Sequence, residues 1–207
     1  MSRFDPREFR NALGSFATGV TIITTRDAEG APVGITASSF NSVSLDPPLV
    51  LFSLARTARS LPAFAGAQHW AVHILRAEQE ELCGRFARSG ADKFAGLDFA
   101  SGEGGAPLLG GCAARMQCRT AFRYEGGDHL IFVGEVLAFD RAEAPPLVFH
   151  AGRMRRLEQL AAWARWKPDG HKKRPPGWGG LKDPIGAGSG GDCRRRIRGN
   201  HSLHGAY

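Results

Sequence analysis

VTIITTRDAEGAPVGITASSF, residues 20–40, decides the fold. Its first six residues are β-branched throughout, which favours an extended backbone. RDAEGAP (26–32) has the composition of a turn, and VGITASSF (33–40) reads as a second strand. Two strands joined by so short a connection make an antiparallel hairpin.

Outward from this hairpin the signals stay mostly extended. On its N-terminal side, DPREFRNALGSFA (5–17) sets Phe9, Leu13 and Phe16 at helical spacing behind an Asp-Pro start, which predicts one short amphipathic helix. On its C-terminal side, Asp46, Pro47 and Pro48 set an extended entry to LVLFSL (49–54), a continuous apolar run expected to be a strand buried on both faces. SLPAFAG (60–66) reads as a short helix, and HWAVHIL (69–75) alternates as a strand does. AEQEELCGRFARSGADKF (77–94) carries acidic residues early and basic ones late, matching a helix dipole. CAARMQCRTAFRY (112–124) and LIFVGEVLAFD (130–140) flank EGGDH and predict a second hairpin. A short strand, LVFH (147–150), and an amphipathic helix bearing Leu157, Leu160 and Trp163 complete residues 1–163. Strands following one another by hairpins, with helices inserted singly, predict a mainly β protein: an antiparallel barrel with peripheral short helices, not a Rossmann sheet.

The 207 residues, 43% hydrophobic and 23% charged, suit one soluble domain plus an appendage. Lys and Arg outnumber Asp and Glu by 27 to 20. The first 163 residues hold 17 of each sign, and residues 164–207 hold ten basic against three acidic. This Gly- and Pro-rich tail cannot bury enough surface to offset its ordering entropy and is expected to be disordered. Its Arg194, Arg195, Arg196 and Arg198 invite a nucleic-acid reading, but a solvated basic tail is the commoner meaning of such a run. No apolar run approaches the roughly 20 residues of a membrane span. A cytoplasmic location is the default expectation. Cys83, Cys112, Cys118 and Cys193 show neither C-x-x-C nor zinc-ligand spacing, so free thiols and no metal are expected.

Neither G-x-G-x-x-G after a strand nor a P-loop is present, and no G-x-S-x-G marks a hydrolase. What stands out is a run of small polar residues where a strand meets its loop: Thr36, Ala37, Ser38, Ser39, then Asn41 and Ser42. Short side chains let the backbone approach a flat ligand while N–H and O–H groups face its polar edge. The pyrimidine end of a flavin is such an edge.

GSFATGVTIITT (14–25), GITASSFNSVSLDPPLVLFSL (34–54), DKF (92–94) and GGDHLIFVGEV (126–136) together resemble, in order and spacing, the flavin reductase-like family with the FMN-binding split barrel. The resemblance spans about residues 6–160. It implies an antiparallel split β-barrel with Thr36, Ala37, Ser38 and Ser39 along the isoalloxazine ring. Ser53, Arg59 and Ser60 would take the flavin phosphate, for which an Arg fork beside hydroxyls is chemically apt. Lys93 and Phe94 would lie near the flavin. His129 would meet the nicotinamide, oriented by Asp128, its task being to hold that ring over flavin N5. Met154 departs from the pattern, since relatives often carry an aromatic residue there.

The resemblance further implies NAD(P)H-dependent reduction of FMN or FAD, a homodimer, and delivery of reduced flavin to a partner monooxygenase. Neither FMN against FAD nor NADH against NADPH is decided by these residues. A flavin-binding electron carrier without turnover is the alternative of another class.

Overall fold

The 20–40 hairpin is present as expected. In the computed structural model, which describes residues 4–90 and 92–157, β-branched Thr21 to Thr25 pair residue by residue with 33–37. The helix expected through Leu160 and Trp163, Cys193 and the whole of 164–207 lie outside the described residues.

Helix α1 (Pro6–Leu13) and the two-residue β1 (Thr18–Gly19) lead into β2 (Thr21–Arg26), β3 (Pro32–Ala37), β4 (Asn41–Leu45) and β5 (Pro48–Ala55). Then come α2 (Leu61–Gly66), β6 (His69–Ile74) and α3 (Glu80–Ala87). A small ribbon of β7 (Phe99–Ser101) and β8 (Pro107–Leu109) precedes the long hairpin β9 (Ala114–Gly126) and β10 (His129–Arg141). β11 (Val148–His150) and β12 (Arg153–Arg155) follow. Seven strands form one antiparallel sheet in the order β3-β2-β6-β9-β10-β5-β4. That sheet curls until its β3 end reaches β5, where Ser39 Oγ donates to the Ser53 carbonyl (2.9 Å) and accepts from the Ser53 N–H (3.1 Å). The mainly β, antiparallel barrel architecture read from the sequence is therefore the observed one.

Inside the curl, Phe52, Phe64, Trp70 and Phe132 are fully buried, with Phe52 stacked on Phe132 at 4.8 Å and edge-on to Trp70 at 5.0 Å. Gly134 makes room for Trp70: a Cβ there would come within 2.3 Å of the indole ring. A second core, under α3, joins Val20, Ile22, Leu75, Phe86, Phe94 and Leu147, with Met154 packed against it. Met154 thus contributes apolar packing where an aromatic was the expected residue. Buried threonines on β2 each donate a hydroxyl to a backbone carbonyl, as in Thr21 to Ala37 (2.8 Å) and Thr24 to Pro107 (2.6 Å). This satisfies the hydroxyls that β-branched polar residues bring into a core.

The structure corrects several sequence expectations. LVLFSL is not buried on both faces; β5 alternates, with Val50, Phe52 and Leu54 buried and Leu49, Leu51, Ser53 and Ala55 half-exposed, the last two lining a groove. Asp46-Pro47 forms the tight turn of a hairpin, Leu45 pairing with Pro48, where an extended entry was expected. β6, read as alternating, is buried on both faces because the second core and the β7–β8 ribbon cover its other side. α1 forms behind its Asp5 cap, yet Phe9, Leu13 and Phe16 remain exposed. The β7–β8 ribbon and β12, too short for a periodic signal, were not anticipated.

Cys83, Cys112 and Cys118 are buried free thiols, and burial pushes Cys118 up to about 12, so it stays protonated and inert. Among the described residues no group of His, Cys, Asp and Glu is placed to hold a metal, and no helix is long and apolar enough to cross a membrane.

His73 on β6 is fully buried between the cores. The Leu109 N–H can only donate, so Nε2 accepts from it (3.0 Å) and Nδ1–H donates to the Ile22 carbonyl (3.0 Å). The ring is neutral, and burial lowers its pKa from 6.5 to about 4 despite the Ile22 bond. The unfolded chain therefore binds the extra proton between those values, and the contribution is complete above pH 6.5 and lost as pH falls. Denaturant titrations should show stability dropping by on the order of 3 kcal/mol from this group between pH 6.5 and 4. His73→Gln should remove that part of the slope while lowering stability at neutral pH.

Candidate functional site

Strand β3 sits at one edge of the sheet, hydrogen-bonded to β2 on one side only. Its free side opens onto two grooves that share Ile35, Thr36 and Leu54 and so run into one another. The first, about 510 Å3, brings together Thr36, Ala37, Ser38, Ser39, Ser53 and His129. The second, about 590 Å3, is lined by Thr36, Arg59, Ser60, Lys93 and Phe94 among others. Of the residues that the resemblance assigns to the site, only Asp128 lines neither, and it reaches the site through His129; Asn41 and Ser42 of the polar run also line neither.

The polar run at the end of β3 is used differently from its reading as a row of ligand donors. Thr36 Oγ1 donates to the Cys83 carbonyl at 2.7 Å, tying β3 to α3. Ser39 is committed to the Ser53 backbone. Ala37 is buried, and the Ser38 hydroxyl has no partner among the described residues. What this stretch offers a ligand is thus chiefly its backbone, with the Ser38 hydroxyl beside it.

In the second groove Lys93 Nζ donates to the carbonyls of Gly34 (2.9 Å) and Phe86 (2.8 Å). Burial lowers its pKa, and no carboxylate pairs with it among the described residues. Phe94 is a core residue that only borders the groove, edge-on to Phe86 (5.0 Å) and Phe99 (5.3 Å). Gly34 is glycine because a Cβ would lie 2.4 Å from the Phe86 ring. Arg59 is exposed and makes no hydrogen bond or ion pair among the described residues, and the Ser60 hydroxyl does not cap α2. A free guanidinium beside a free hydroxyl can clamp a phosphate.

Across the first groove, His129 opens β10. Asp128 can only accept when ionised, so His129 Nδ1 carries the proton and donates at 2.8 Å, leaving Nε2 uncommitted. That hydrogen bond, with the charge interaction behind it, lowers the Asp128 pKa. The carboxylate is 93% exposed, so its work is to fix the ring's tautomer and not to add stability.

Two residues that hold the site were given no role in the sequence reading, although Asp92 opens the quoted DKF segment. Arg56 donates from Nε to the Gly127 carbonyl (3.0 Å), pairs with Glu125, and receives the Asp128 carbonyl on its own N–H, clamping the His129 turn. Its partners lie about seventy residues away, so no local signal marks it. Asp92 accepts from the N–H groups of Phe94 and Ala95, both at 3.1 Å. An Asp opening a turn is a recognisable signal.

The flavin reductase like domain family matches residues 13–158. Over 153 residues the chain is 47% identical to the FMN reductase (NADH) of Agrobacterium fabrum, covering 74% of this chain and 87% of that one. It is 41% identical to the reductase subunit of a flavin-dependent monooxygenase from Rhodococcus jostii, covering 80% and 85%. Against two longer relatives from Rhizobium meliloti it spans 45% and 59% of their length. Among solved structures, an NADH:FAD oxidoreductase of Streptomyces globisporus in complex with NAD and FAD fragments superposes with TM-score 0.69 at 37% identity, covering 83% of this chain and all of that one.

The Ser39 contact closes the barrel beside the site. Ser39→Ala should cost about 1–2 kcal/mol in urea denaturation, since it strands the Ser53 N–H and carbonyl at once. Ser38→Ala, whose hydroxyl has no partner, should leave stability within about 0.5 kcal/mol of the native chain.

Proposed function

The chain belongs to the flavin reductase-like domain family, and from that premise we propose that it catalyses NAD(P)H-dependent reduction of FMN or FAD and hands the reduced flavin to a partner monooxygenase. The observation that carries this reading is the joined groove on the free side of β3. One end exposes backbone and a serine hydroxyl opposite His129, and the other holds an unpaired guanidinium beside a free hydroxyl. Those ends fit, respectively, the ring and the phosphate of a flavin nucleotide. The chemistry supplied there by a bound flavin is acceptance of a hydride at N5 from the reduced nicotinamide.

The chain's own residues bind and orient. Backbone groups of 36–39 face the polar edge of the ring, with the Ser38 hydroxyl beside them. Arg59 and Ser60 hold the phosphate. Lys93 and Thr36 keep β3 at fixed distance from α3, so the slot keeps its width. His129, its tautomer set by Asp128, presents Nε2 at the groove rim as a hydrogen-bonding and packing group for the nicotinamide. No proton needs to leave the donor carbon with the hydride, so no acid or base is required of it.

A second copy of the chain is part of this reading. Phe122, Tyr124 and Phe139 on the long hairpin, with Val43 and Leu45 on β4, are 47–78% exposed, and Phe122 and Tyr124 stack at 5.9 Å. So much exposed apolar surface on β9, β10 and β4 of one sheet suits a homodimer interface. Light scattering should return twice the 22.3 kDa chain mass, and Phe139→Glu with Leu45→Glu should shift it to the monomer.

Anaerobic mixing of the protein with NADH and excess FMN or FAD should bleach the flavin absorbance catalytically. Flavin that binds and keeps its colour would identify a carrier and overturn the reductase reading. Arg59→Ala should raise the flavin KM about tenfold or more with little change in kcat, as expected for lost phosphate binding. His129→Ala should instead lower kcat/KM for NADH by about ten- to a hundredfold, because it loosens the nicotinamide.

A further inference from the structure

The first groove is bounded at its rim by a turn that the strand ladders do not hold. The pairing of β9 with β10 closes at Gly126 opposite His129, and the pairing of β5 with β10 ends at Ala55 opposite the same His129. Gly127 and Asp128 lie past both ends, and the successive glycines 126 and 127 give the tip little stiffness of its own. His129 is 43% exposed there. Its side-chain partner, Asp128, is the adjacent residue and moves with the same turn, so that pair by itself does not fix the imidazole relative to the groove.

Arg56, the first residue after β5, supplies the missing link. Its N–H donates to the Asp128 carbonyl at 2.9 Å, and its Nε–H donates to the Gly127 carbonyl at 3.0 Å. These carbonyls belong to the two peptide planes on either side of Asp128, and holding both planes fixes the two backbone torsions between them. The directions of the Asp128 carboxylate and of the following imidazole are set with them. The end of the guanidinium pairs with Glu125 on the incoming strand, so one rigid fork spans the turn from residue 125 to residue 127.

Stability does not account for this arrangement. Arg56 is 45% exposed and Glu125 is 72% exposed, and ion pairs so open to water contribute little. Nor does Arg56 line either groove, whereas Ala55, Gly126 and His129 around it do. Resting on the flavin-reductase reading, we infer that Arg56 is a positioning residue for hydride transfer, holding His129 Nε2 at the groove rim where the nicotinamide is aligned. Misplacing a reacting group by about 1 Å costs on the order of a hundredfold in rate, so a turn that twists by a fraction of that is felt in the hydride step.

The test removes the fork and asks whether its effect passes through His129. Arg56→Met keeps the apolar stem and loses every side-chain donor, and circular dichroism checks that it is folded. It should lower kcat/KM for NADH by about five- to tenfold. Flavin affinity, read by fluorescence quenching without NADH, should stay within about twofold. In the His129→Ala background the same substitution should cost no more than about twofold, since residues that act as a unit are not additive. Arg56→Lys keeps the charge facing Glu125 without the planar fork, and it should retain most of the defect.

A second readout needs neither flavin nor NADH. Imidazole nitrogen–proton correlation spectra of the full chain should show His129 protonated at Nδ1, the signal being assigned by its loss in His129→Ala. In Arg56→Met that signal should shift or split as the ring samples other orientations and tautomers.

An unchanged His129 signal in Arg56→Met would overturn the inference. So would a full multiplicative loss in the His129→Ala background, which would put Arg56 in direct contact with the nucleotide. An equal loss of flavin affinity would reduce the role to general support of the barrel, and complete recovery by lysine would reduce it to charge. Flavin binding without NADH oxidation by the native chain would sink the reductase reading, and the imidazole signal would then decide alone whether Arg56 positions His129.

Discussion

Everything at the site depends on how an edge strand is held without being paired. A strand with one free side exposes a row of backbone N–H and C=O groups and ordinarily invites another strand to add to it. Here β3 is paired to β2 on one side, and its other side is fixed by side chains at three points. Ser39 joins it to Ser53, Thr36 ties it to the Cys83 carbonyl, and Lys93 takes the Gly34 carbonyl. These tethers stand in for a neighbouring strand at intervals. Between them the backbone is open, and that opening is the groove.

The same economy explains why the two cores sit where they do. The aromatic cluster of Phe52, Trp70 and Phe132 fills the curl from inside, and the second core clamps α3 over β2 and β3 from outside. Ile35 and Ala37 of β3 pack in the first core, and Gly34 lies against Phe86 and Phe94 of the second. Preorganisation of this kind places donors ahead of binding and spares the ordering cost afterwards. His73 belongs to this scaffold: a neutral ring bonded to β2 and β8 at once, it joins the ribbon to the sheet at the cost of sensitivity to acid.

Electrostatically the groove is graded. The ring end is lined by neutral groups with one histidine at its rim, while Arg59 and Lys93 gather in the middle and Asp27 stands beyond them. The excess positive charge of the sequence lies in 164–207. In the groove, Arg59 and Lys93 have no ion-pair partner among the described residues, although Asp27 and Asp92 line it with them.

The hairpins of 20–40 and 112–140 were legible in sequence because alternation, β-branching and turn residues act between neighbours in the chain. The placement of Thr36, Ser38, Ser53, Arg59, Lys93 and His129 along one joined groove was legible only through resemblance to a family. Nothing local says that residue 129 faces residue 38. Nor could composition reveal that the Thr36 and Ser39 hydroxyls are spent on structure, that Phe94 is core, or that Arg56 clamps a turn about seventy residues away. By itself, then, the sequence determined the strands, their turns and the mainly β class, since these follow from backbone preferences within a few residues. Only the tertiary structure decided which polar groups remain free for a ligand, because a hydroxyl, guanidinium or ammonium is free or spent according to carbonyls that reach it from distant strands.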